Sequence, residues 1–232
     1  MYGRIKILGL VLAVMGLGFV AGGAFTAYKT WEGSQSLAAL SQAQQVKLSY
    51  NEQGQLVDRG ETAGAEAIMA LLRDEWKYPV SAAELDPNDP VVNTASEYMY
   101  QMATVTYHTL HGTQTVVLPE DVTAADGTVY QAGTYEFAVD GRYWSDFNRA
   151  NPIEAAAREK AWTGTAHALI AELGVGTATA TALQLGLGIA GIFAGIGFFA
   201  LIAGFGLVWV ARAATVEERA PKAVLQPRAM PA

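Results

Sequence analysis

No charged residue occurs between Leu183 and Ala211, a run of 29 positions. That run restricts the fold more than any other feature of the chain. A helix of about 20 apolar residues, rising about 1.5 Å each, crosses a hydrocarbon layer of roughly 30 Å. Helices buried in soluble proteins average only about 11–12 residues. The run also holds Gly186, Gly188, Gly191, Gly195, Gly197, Gly204 and Gly206. Glycine weakens a helix in water, but it is tolerated in lipid, where it lets helices approach closely. A second uncharged run, Ile7 to Ala27, has 21 residues. "MYGRIK" ahead of it would suit a secretory signal, yet the apolar run is longer than the 7–15 residues usual there. The expectation is an uncleaved anchor.

Two transmembrane α-helices, about 7–28 and 183–211, are therefore predicted, with an inserted extracytoplasmic α+β domain at 29–182. Residues 1–6 and 212–232 become the tails. Lysine and arginine near span ends mark the cytoplasmic side. Arg4 and Lys6 precede the first run, Arg212, Arg219, Lys222 and Arg228 follow the second, and none lies between Gly164 and Ala211. Both termini are thus expected in the cytoplasm. Residues 28–182 carry nine Lys/Arg and twenty Asp/Glu, a net −11, while the tails sum to +4, giving the chain total of −7. An acidic exterior argues against nucleic acid as a partner. The chain has no cysteine, which removes thiolate catalysis and Cys-ligated zinc.

Within the exterior segment, Ala65, Ile68, Met69, Leu72 and Trp76 recur at helical spacing and predict an amphipathic helix over about 62–76. Ser81 and Glu84 form a capping-box pair. A longer helix is predicted over about 91–111, with Glu97, Gln101, Thr104, His108 and His111 on its polar side. Thr-, Val- and aromatic-rich segments broken by Asp126–Gly127 and Asp140–Gly141 predict a small antiparallel sheet of two to four strands over about 113–144. Asn151, Pro152 and Glu154 then open a helix over about 152–173, with Gly174 and Gly176 as its end or kink.

Candidate chemistry is sparse. His108 and His111, on a helix, would share a face and could hold a metal ion with a third ligand from elsewhere. The alternative is two polar-face histidines near a helix end. No nucleophile elbow or phosphate-binding glycine loop is present, and no ionisable side chain lies inside either uncharged run, as a proton or ion path would need. No cofactor beyond that possible metal is implied. Gly18 and Gly22 in the first run, and Gly191 and Gly195 in the second, are small-xxx-small pairs suited to packing against each other, a partner or a second copy. Tyr143, Trp144 and Phe147 in "GRYWSDF" are a candidate interaction patch. Three functions follow: a membrane-anchored accessory or scaffold protein whose partners are lipid and other membrane subunits or itself; a metal-dependent exterior enzyme using His108 and His111; or a binding module for a lipid or cell-wall ligand.

The layout, together with "ELDPNDPVVNTASEYM" and "DGRYWSDFNRANPIEAAAREKAWTGTAHALIAELGVG", resembles a loose group of bacterial two-span membrane proteins without assigned activity. Some bear the label aromatic ring-opening dioxygenase. The resemblance implies the two-span architecture but supplies no catalytic residue. The dioxygenase label is not adopted, because an iron site of His and carboxylate ligands has no evident counterpart among three histidines.

Overall fold

A computed structural model describes residues 2–219 of the chain. Of the basic tail residues, Lys222 and Arg228 lie outside the described residues. The chain divides into two compact units. One is made from the chain's ends, up to Gly33 and from Leu183; the other is Ser34–Ala182.

The first unit is a pair of long helices, drawn from α1 (Tyr2–Gln44) and α5 (Gly164–Arg219). Both are long and apolar enough to cross a membrane. They run antiparallel along a seam of small residues that recurs every seven positions. Gly9 faces Gly204, Gly16 faces Gly197, and Gly23 faces Ala190. A Cβ on Gly9 would stand 2.6 Å from the Gly204 carbonyl oxygen, and one on Gly16 would stand 2.7 Å from that of Gly197. The series continues in frame to Thr30, whose hydroxyl lies where a Gly186 side chain would be. Ala13, Thr30, Ala190 and Ala211 are buried along this line. A seven-residue repeat keeps one face of each helix turned to the other over several turns, and small residues along it let the two backbones approach closely.

This seam corrects the four-residue pairs picked from sequence. Gly18, Gly191 and Gly195 have no neighbour within 4 Å of a Cβ position, and Gly22 meets only the Phe193 ring, at 3.4 Å. Each lies about a quarter-turn or more off the seam, because helical phase, not glycine density, decides which face is shared.

The second unit is α+β. Its helices are α2 (Thr62–Ala70), α3 (Ala95–Leu110) and α4 (Pro152–Ala161). The end of α1 and the start of α5 also belong to it. Ile68 and Leu72 are fully buried, and Ala65 nearly so. α2 passes into a π turn, Leu71–Glu75, and then stops at Lys77, which adopts φ 54°. Tyr98, Tyr100, Ala103 and Leu110 of α3 join this core with Val139, Phe147, Trp162 and Leu173.

The sheet is two separate antiparallel pairs. β1 (Thr113–Leu118) pairs with β4 (Gly133–Ala138), with Thr113 opposite Ala138 and Leu118 opposite Gly133. Between them, β2 (Val122–Thr123) and β3 (Val129–Tyr130) form a short hairpin, turned by Gly127 at φ 86°. One face of β1–β4 is covered by α4: Val116 and Leu118 pack on Ala157, with Ile153 and Tyr135 alongside. Val117, on the other face, is exposed.

Three local expectations are revised. The helix expected over 152–173 is broken between Ala161 and Gly164. Trp162 leaves helical geometry (φ −94°, ψ 64°) so that its ring enters the core and its Nε1 donates to the Arg142 carbonyl. The helix also does not end at Gly174 or Gly176. Tyr98's ring occupies the space beside Gly176, 2.5 Å from a Cβ position, so that glycine serves close packing rather than termination. The Ser81 side chain caps nothing; Glu84 instead accepts from the Ser96 amide at 2.8 Å. The capping box is one helix later, between Thr94 and Glu97.

Candidate functional site

The two histidines expected to share a metal have separate engagements. His108 on α3 places Nε2 3.0 Å from Asp58 Oδ1. His111 is the residue after the helix, where its Nδ1 lies 2.9 Å from the Tyr107 carbonyl and its ring rests on the Tyr107 ring. Asp58 comes from a tight turn closed by reciprocal backbone bonds with Glu61, and its carboxylate crowds Gly64 in the first turn of α2. The His108–Asp58 pair is about three-quarters shielded from solvent. Among the described residues, no three His, Asp or Glu side chains converge as a metal centre would require.

The core of the α+β unit also buries polar groups. The Tyr100 and Tyr50 hydroxyls are buried with no hydrogen-bond partner among the described residues. Burial, and then the Asp58 charge, push the Tyr100 phenol well up. Burial, and then Glu97, raise Tyr50 to about 12. Glu97, expected on a solvated face, is only 2% exposed. Its Oε2 accepts from the Asn93 and Thr94 amides and the Thr94 hydroxyl, at 2.8–3.0 Å. Burial raises its carboxyl above the ordinary value, and those three bonds pull the other way. This carboxylate holds the start of α3 in place.

The aromatic patch is also turned inward. Phe147 is a core residue at 4% exposure, packed near Phe137, which removes it from any surface patch. Tyr143 stacks on Trp162 at 5.9 Å and its hydroxyl accepts from Trp76 Nε1 at 3.0 Å. Trp144 is covered by the Arg158 guanidinium, 3.9 Å above its ring, and meets His167 edge-on. These rings join the 141–148 loop to α2's end, α4 and α5. Their bulk and mutual contacts account for them as a structural joint.

What is left uncovered is the outer surface of the helix pair. Val14, Phe25, Phe199, Ile202 and Trp209 are each between 66 and 75% exposed. Gly18 and Gly22 line an open groove with Met15, Phe19 and Phe193, whose two phenylalanines meet edge-on at 5.8 Å. Gly188, Gly191 and Gly195 leave open backbone on α5. Such a surface can hold lipid or another helix, and residues 7–27 and 183–211 carry no ionisable side chain.

Comparison with known proteins gives no match: no family model, no curated protein and no solved structure is similar to the chain.

Proposed function

We propose that the protein is a two-span anchor of the bacterial cytoplasmic membrane, with both termini in the cytoplasm and residues 28–182 outside. In this reading it serves as a non-catalytic accessory or scaffold subunit that docks onto other membrane proteins or a second copy. One observation carries the reading. The two long helices use a single seven-residue seam for each other and leave their remaining apolar surface bare. At about 25 cal/mol per Å², so much exposed apolar surface is costly in water, and in hydrocarbon it is at no disadvantage. The absence of any ionisable residue from 7–27 and 183–211 favours anchoring over transport.

The docking half of the proposal rests on Gly18, Gly22, Gly191 and Gly195. Intramolecular packing leaves Gly18, Gly191 and Gly195 open, and Gly22 meets only the Phe193 ring, so this backbone remains for another helix. The test is native purification in mild detergent. A co-purifying subunit or a self-assembled species is expected, and Gly18→Leu with Gly191→Leu should release it without lowering the chain's own unfolding midpoint. A lone monomer of 24.6 kDa, in every mild detergent tried, would refute the docking role.

A further inference from the structure

The end of α1, the middle of α3 and the first turns of α5 enclose a cleft of about 330 Å³. Val46, Val105, Leu169 and Leu173 form its walls, with the Tyr98 ring at its base. That base is fixed. Tyr98 is 4% exposed, its hydroxyl is bonded to Ser41 Oγ at 2.8 Å, and its ring is pressed against the Gly176 backbone. The cleft is thus held open by packed side chains on one rigid ring, and a ligand would not have to organise it.

Polar groups gather on the same lining. Gln44 Nε2 donates to Glu172 Oε1, and Gln101 is the third. Glu172 is solvent-exposed, and among the described residues it is the only carboxylate lining the cleft, with no Lys, Arg or His beside it. A carboxylate has room for several donors, so its bond from Gln44 leaves capacity for another. The surrounding unit, residues 34–182, carries eight Lys/Arg and nineteen Asp/Glu, a net −11, which draws cations toward it. A volume of about 330 Å³ lies at the small end of the roughly 300–1,000 Å³ usual for small-molecule pockets.

We propose that this cleft binds a small apolar amine, with its ammonium group on Glu172 and its hydrocarbon or aromatic body between Leu169, Leu173 and Val105. The inference does not depend on the docking role of the helix pair.

The probes are 4-phenylbutylammonium and its anionic counterpart 4-phenylbutyrate, titrated by ligand-observed NMR against the full-length chain in nanodiscs, with empty nanodiscs subtracted. The amine is expected to saturate at one site per chain. The carboxylate should bind at least tenfold more weakly. Glu172→Gln retains the partner for Gln44 and should weaken amine binding at least tenfold while leaving the unfolding midpoint unchanged. Leu169→Trp, at a position already 42% exposed, should fill the cleft and abolish amine binding. Three results would each overturn the proposal: no saturable amine binding, a carboxylate that binds as tightly as the amine, or unaltered amine binding in both variants.

Discussion

A methyl group at Gly16 should damage this protein, and the same methyl two residues later should not. A Cβ at Gly16 would lie 2.7 Å from the Gly197 carbonyl oxygen and 2.8 Å from the Leu201 amide nitrogen. Both are backbone atoms, so no rotamer change relieves the contact. Restoring an ordinary separation moves α5 away by about 0.7 Å or more at this level and loosens Gly9 and Gly204 one heptad along. Overpacking of this kind costs about 1–3 kcal/mol. At Gly18 nothing lies within 4 Å of the Cβ position, and alanine restores helix propensity. Gly16→Ala should therefore lower stability by about 1–3 kcal/mol, with Gly18→Ala neutral or slightly stabilising. The assay is reversible unfolding of the full chain in mixed micelles, followed by helical circular dichroism. Gly16→Ala combined with Gly197→Ala should cost less than the sum of the single changes, since one displacement relieves both. Equal effects at Gly16 and Gly18, or a larger one at Gly18, would refute the seven-residue seam.

Two other predictions concern the core of the α+β unit. Tyr100→Phe removes a buried hydroxyl that has no partner among the described residues; leaving such a group unpaired costs about 1–3 kcal/mol, so the variant should be at least as stable as the parent in urea unfolding, and a loss above about 1 kcal/mol would show the hydroxyl to be bonded. Burial raises Glu97 above its ordinary value of 4.5. Folding then favours its protonated form, so its contribution is fully present below that value and is lost as pH rises through the folded one. Glu97→Gln should gain stability relative to the parent between pH 4 and pH 7, with the difference between the two chains cancelling the other carboxylates; a constant or shrinking difference would contradict this.

The sequence displays some of this fold directly. Two long apolar runs need no partner to be recognised, and Asn151 does cap α4, accepting from the Ile153 and Glu154 amides, because a cap is a local interaction. The seam was harder to read. Glycine is so frequent in both runs that a four-residue frame and a seven-residue frame both find matches, and only the positions of the two backbones distinguish them. Gly9, Gly16 and Gly23, in frame with Thr30, were the available signal. The "TASE" capping box at Thr94 has the same spacing as "SAAE" at Ser81; the second opens only a three-residue turn, too short to present a run of amides to its cap. The break at Trp162 and the continuity through Gly176 are set by Arg142 and Tyr98, residues distant in sequence, and no local pattern announces them. The cleft beside Glu172 has the same origin, being assembled from three helices far apart along the chain.

The placement of both uncharged segments in hydrocarbon is tested most directly by cysteine labelling, since the chain has no cysteine of its own. Thr134→Cys, on the exposed face of β4, and Gly3→Cys would each be treated with a membrane-impermeant maleimide in intact cells. The account predicts that both chains stay with the membrane after an alkaline wash, that Thr134→Cys is labelled at once, and that Gly3→Cys is labelled only after permeabilisation. Release of the chain into the soluble fraction, or the reverse labelling pattern, would contradict it.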